Sequence, residues 1–146
     1  MKNILVAIDR PKHAEKLIAE AVKLAKLTNA KIWILHVTEP DPDSYRALEA
    51  GPQFLHDKRV EDRKKEAAYV KQCAEEISSR ENISAEGVLI KGEIPKAITD
   101  KVEEHNIDLI VAGHQRKNFL YGLFAANKKK DLVDELKIPL LAVPLG

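Results

Sequence analysis

Asp108-Leu109-Ile110-Val111-Ala112-Gly113 is a run of apolar residues closed by a glycine. It is too short for a helix and has no polar alternation. It therefore reads as a strand buried on both faces, the kind found in parallel sheets with helices on either side. Ile110, at its centre, is expected to lie in the core. The same pattern recurs upstream. Ile4-Leu5-Val6-Ala7-Ile8 ends at Asp9-Arg10-Pro11, and Ile32-Trp33-Ile34-Leu35-His36-Val37 ends at Thr38. Val88-Leu89-Ile90 centres a further strand before Lys91-Gly92, and Leu140-Leu141-Ala142-Val143 stands between Pro139 and Pro144.

Between these runs the periodicity turns helical. From His13 to Thr28, Leu17, Ala21 and Leu24 form a stripe flanked by Ile18 and Ala25, with Asn29 as a stop. From His56 to Arg80, Ala67, Val70, Ala74 and Ile77 recur at spacings of three and four. The first half of that helix is mostly charged, with Val60 as its apolar residue, and is expected to project into solvent. Ile94-Pro95 opens another helix with Ala97, Ile98 and Val102 inward and proline in its tolerated first turn. A short helix carrying Leu132, Val133 and Leu136 precedes the last strand. Strand and helix alternate throughout, which predicts a three-layer α/β fold with an open parallel sheet and right-handed crossovers. One domain over residues 1–146 is expected. Thr38 to Leu55, with three prolines and a glycine, reads as a long loop.

Composition narrows the function. Among 146 residues, 24 Lys and Arg balance 23 Asp and Glu for a net charge of +1. No global field favours nucleic acid or a membrane surface. No apolar run reaches the roughly 20 residues of a membrane helix, and Met1-Lys2-Asn3 leads into the first strand without a signal-peptide pattern. A cytosolic location is expected. The single cysteine, Cys73, excludes an internal disulfide and a cysteine-rich zinc site.

Ligands of open α/β sheets sit beyond the carboxyl ends of the strands, where the strand order reverses. Asp9, Val37 and Gly113-His114 fall at such ends. The Asp9 carboxylate can accept hydrogen bonds from an adenine amino group or a ribose hydroxyl, or can cap the first helix. Gly113 permits either close approach of a ligand or a tight turn. The following loop, His114-Gln115-Arg116-Lys117-Asn118, has few glycines with which to turn backbone amides on a phosphate. Lys128-Lys129-Lys130 opens the last helix after Asn127. Cations there oppose the helix dipole, so either an anion binds or the side chains reach into water. Phe119 to Phe124 is apolar enough for core packing or a contact surface. Glu39 to Asp43 lacks a calcium-loop pattern. Neither a nucleophile elbow, a Walker A loop nor a His-Glu-x-x-His motif occurs.

The chain resembles the universal stress protein family over essentially its whole length. Ile4 to Asp9, His36-Val37-Thr38-Glu39-Pro40, Lys91 to Ile98, Asp108 to Gly113 and Pro139 to Pro144 carry the likeness through their order and spacing. The resemblance implies a Rossmann-like sheet in the order 3-2-1-4-5, with Asp9 opposite Gly113. It also implies homodimers formed through the terminal strand, Leu140, Leu141, Ala142 and Val143. That would cover an apolar edge which is otherwise an aggregation risk.

Some members bind ATP through a Gly-x2-Gly-x9-Gly-Ser/Thr signature. On this chain Gly113 matches its first position, while Arg116 stands at the second and Ala126-Asn127 at the last. The adenine side, Asp9 and Val37, is kept and the phosphate side is not. The leading expectation is a non-catalytic, homodimeric stress-response protein that acts on an unidentified protein partner and requires no cofactor. The alternative is a regulator that holds ATP or another adenine nucleotide weakly, with His114, Arg116, Asn127 and Lys128 supplying side chains at the phosphate end. An enzyme of the related adenylate-forming or electron-transfer-flavoprotein-like folds is disfavoured by the missing motifs, leaving at most slow incidental ATP hydrolysis. No metal site is expected.

Overall fold

Ile4, Leu5, Val6, Ala7 and Ile8 are all buried, as residues of a strand must be when helices cover both sides of its sheet. They form β1 (Asn3–Ile8) in a computed structural model that describes residues 1–37, 52–90, 94–114 and 135–145. Next come α1 (Pro11–Thr28), β2 (Lys31–His36), α2 (Pro52–Glu81) and β3 (Ala85–Val88). Then follow α3 (Ile94–Glu104), β4 (Leu109–His114) and β5 (Leu140–Pro144). The strands build one five-stranded sheet in the order β3-β2-β1-β4-β5. Every pairing is parallel. The expected order 3-2-1-4-5 and the α/β class are both present.

Two cores sandwich the sheet. Ile4, Val6, Ile8, Ile32, Ile34 and Val111 face α1 and α2, which contribute Leu17, Ala21, Val70 and Ile77 among others. Leu5, Ala7, Leu35, Ile110 and Ala112 face the other way, against Ile98 and Val102 of α3. Leu136 packs on this second core, whereas Leu132 and Val133 lie outside the described residues.

Helix boundaries follow from local chemistry. Pro11 is pre-set for the first turn of α1. Asn29 ends that helix in the left-handed region at φ 59° and ψ 34°, which asparagine tolerates better than most residues. Asn82 and Asn106 follow α2 and α3 with φ 53° and 52°. The buried stripe of α1 runs through Ala14, Leu17, Ala21 and Ala25. Leu24, expected within it, is half-buried.

In α2, Val70, Ala74 and Ile77 are buried and Ala67 is half-buried. Val60 is 40% exposed and residues 61–65 are all exposed, as their charge implies. Two boundaries differ from expectation. α2 begins at Pro52, so the end of the expected loop at 52–55 is helix, and residues 38–51 lie outside the described part. β3 spans Ala85–Val88 instead of centring on Val88-Leu89-Ile90. Packing under α2 decides its position. A Cβ on Gly87 would stand 2.7 Å from Val70 Cγ2 and 3.0 Å from the Val70 carbonyl carbon, so only glycine fits there. Leu89, past the strand, is 40% exposed.

The amino ends of the strands are tied by side chains. The Asp108 carboxylate accepts the Lys2 and Asn3 N–H groups at 2.8 and 2.9 Å. These bonds hold its pKa below the usual range for aspartate. Trp33 donates Nε1–H to Asn3 Oδ1 at 3.0 Å and stacks on His105 with centroids 3.9 Å apart. This end is opposite the one where a ligand of the sheet would bind.

Candidate functional site

β1 is paired on one side with β2 and on the other with β4. The order therefore reverses at β1, and its carboxyl end opens the crevice between β1 and β4. Ala7 is level with Ala112. Continuing that register sets Gly113 beside Ile8 and His114 beside Asp9, one residue beyond the expected alignment of Asp9 with Gly113.

Asp9 sits where the chain leaves β1 for α1. Its Oδ1 accepts the Arg10 N–H at 2.9 Å and lies 3.2 Å from His13 Nδ1. Both side chains are 12% exposed. Arg10 occupies the N-cap of α1 without a side-chain cap, so the preceding carboxylate satisfies its amide. Asp9 does not cap α1 in the expected way, since the helix has no side-chain cap; its bond to the Arg10 amide holds the acid in a fixed direction at the switch point. His13 is the residue that the sequence reading missed. Its signal was the spacing of four from Asp9 across Arg10-Pro11.

Val37 is buried and donates its N–H to the Ile8 carbonyl at 2.9 Å. That bond extends the β1–β2 pairing into the crevice wall. Gly113 is buried and His114 is exposed. Leu145 donates its N–H to the His114 carbonyl at 3.0 Å, and its side chain lies directly over Gly113, in the space a Cβ would need. The room that glycine leaves is filled by the protein itself. Arg116, Asn127 and Lys128 lie outside the described residues, as does the rest of the loop after His114. The structure thus brings together Asp9, Val37, Gly113 and His114 and adds His13 and Leu145.

Other chemistry is sparse. His36 Nδ1 is 3.7 Å from Glu66 Oε1, too far for a hydrogen bond. Neither it nor the Tyr69 hydroxyl has a hydrogen-bond partner among the described residues. Burial raises the pKa of Tyr69 and that of the Cys73 thiol. Cys73 is therefore an inert, buried thiol, not a nucleophile. Among the described residues no cluster of three or more His, Cys, Asp or Glu could hold a metal. None of their helices is long and apolar enough to cross a membrane. Two open grooves lie away from the switch point. One, of about 620 Å³, runs between α1 and α2. The other, of about 610 Å³, lies between α2 and β3.

Among the described residues β5 has only β4 as a neighbour. The Ile110 N–H bonds to the Pro139 carbonyl at 3.1 Å, and by strand alternation Leu141 and Val143 also turn their backbone groups toward β4. Leu140 and Ala142 turn theirs outward, followed by Pro144, which has no N–H to offer. Leu140 and Leu141 are half-buried and Ala142 is exposed. Val143 is only 4% exposed, inside its own subunit's core. A change at Val143 would therefore act on folding before it acted on any interface.

An open parallel sheet with its reversal at β1 and an acid at that crevice defines a Rossmann-like α/β protein. The comparisons go further. The universal stress protein family model matches residues 1–144, and the chain belongs to that family. A universal stress protein A homolog from Haemophilus influenzae is 28% identical over 145 residues, covering 99% of this chain and 96% of the relative. The solved structure of a universal stress protein from Archaeoglobus fulgidus in complex with dAMP superposes with a TM-score of 0.63 at 19% identity, covering 98% of each chain. A family protein from Arabidopsis thaliana with AMP bound gives 0.58 at 17% identity, covering 100% of this chain and 93% of that one.

Proposed function

We propose that the protein acts as a homodimeric universal stress protein, joined through the outer edge of β5 and working on partner proteins by contact. The observation that carries this reading is the edge itself. Leu140 and Ala142 present unpaired backbone groups among the described residues, in a strand whose side chains are apolar. An uncovered apolar edge is a liability that pairing with a second copy removes. The chain works as one domain over residues 1–146, in the cytoplasm, without a required cofactor and without enzymatic turnover beyond incidental ATP hydrolysis. Ala142→Pro removes an outward N–H while sparing the bonds to β4. Sedimentation velocity should show a dimer for the wild type and a monomer for this variant. A wild-type monomer at micromolar concentration refutes the reading.

A second reading is favoured by Asp9. A partly buried acid oriented at the switch point suits the amino group or ribose of an adenine nucleotide, and relatives of this fold have been solved with dAMP and AMP. The phosphate end supports it less. Arg116 and Ala126-Asn127 replace the family's glycines and Gly-Ser/Thr, and Leu145 fills the space beside Gly113. ATP is expected to bind more weakly than about 10 µM, or less than roughly 7 kcal/mol of binding free energy. That affinity should fall with salt if side-chain cations carry it. Titration calorimetry at two salt concentrations tests this. Tight, salt-insensitive binding would mean that backbone amides cradle the phosphates after all.

A further inference from the structure

β3 is the opposite edge of the sheet. Ser84 gives its carbonyl to the Ile32 N–H at 2.9 Å, so Glu86 and Val88 turn their backbone groups toward β2. Ala85 and Gly87 turn theirs outward, where nothing among the described residues pairs with them. α2 does not stop at this edge. Val70 presses on Gly87 and fixes the helix to the strand. The outer flank of the helix, with Ala67, Lys71 and Glu75, then forms a groove of about 610 Å³ with Ala85 and Leu89. The sheet therefore has a helical roof extending beyond its last strand.

We propose that this edge accepts an extended peptide of a partner protein as a sixth strand. Its main chain pairs with Ala85 and Gly87, and its alternate side chains are apolar and sit under α2, the mode of recognition in which backbone bonds give affinity and pockets give specificity. The overhang selects against a second copy. An antiparallel β3–β3 pair would bring two α2 helices onto one face above the same junction. Charge does not define the peptide: Lys71 and Glu75 balance each other in the lining, and the Glu86 carboxylate is held by Lys31 at 2.8 Å, so apolar side chains under α2 carry the specificity.

The test is selection of short displayed peptides on the full chain. Enriched sequences should alternate apolar residues. Ala85→Pro removes an outward N–H at the first residue of an edge strand, where proline is tolerated, and should weaken the selected peptides by about tenfold or more. Ser78→Trp, which fills the groove from the outer flank of α2, should do the same, with thermal melts confirming that each variant folds. Ala142→Pro should leave them unchanged. Three outcomes overturn the proposal. No peptide is enriched; the enriched peptides bind Ala85→Pro and Ser78→Trp as well as wild type; or Ala85→Pro abolishes self-association, making the occupant a second copy.

Discussion

Truncating Ile110 to alanine probes the centre of the sheet. The side chain is 1% exposed, on a strand flanked by Leu5 of β1 and Leu140 of β5, in the core shared with Ile98 and Val102. Each lost carbon removes roughly 0.8 kcal/mol of burial, or about 2.4 kcal/mol in all. Strands on both sides hold the neighbours in place, so the cavity collapses little and the total should reach about 3–5 kcal/mol. Urea melts should then show an unchanged slope and a midpoint lower by roughly 2 M, for a slope near 2 kcal/mol/M. Leu27→Ala, at a site 83% exposed, is the control and should stay within about 0.5 kcal/mol. A loss below 1 kcal/mol for Ile110→Ala would refute the placement of β4 inside the sheet.

Three further outcomes follow from particular contacts. Asp108 has its pKa lowered by the Lys2 and Asn3 amides. Its stabilisation is therefore present above the unfolded value near 4 and lost as pH falls through the lower folded value. Asp108→Asn should reduce stability at neutral pH and flatten the acid limb of a stability–pH curve; an unchanged limb would show that these bonds do not form in solution. Gly113→Ala should cost about 1–3 kcal/mol by crowding Leu145, and adding Leu145→Ala should recover most of it in a double-mutant cycle. Asp9→Ala should weaken any adenine-nucleotide binding without altering its salt dependence, measured by calorimetry, because the role proposed for the acid is at the base end and not at the phosphates.

β1, β2 and β4 could be read from the sequence because burial on both faces demands unbroken apolar runs, and few other structures need them. Asn29 announced the end of α1, and Asn82 and Asn106 carried the same signal unread. β3 escaped because its strand is Ala85-Glu86-Gly87-Val88, chosen by the fit of Gly87 under Val70 and not by hydrophobicity. At the switch point Asp9 was visible as an acid ending a strand. His13 was not singled out, since a spacing of four from an acid is common at the start of a helix and gains meaning only when the turn brings the histidine to Asp9. Leu145 over Gly113 is a contact between strands far apart in sequence, which no local pattern encodes. The terminal strand was recognised as apolar on both faces, but only its pairing with β4 separates Val143, which serves the core, from Ala142, which faces outward.

Native mass spectrometry of the freshly purified protein bears most directly on the proposal that it works as a contact-forming dimer and not as a nucleotide carrier. The account predicts the mass of two chains with no retained nucleotide. A single-chain mass, or a stoichiometric adenine nucleotide that survives purification, would contradict it.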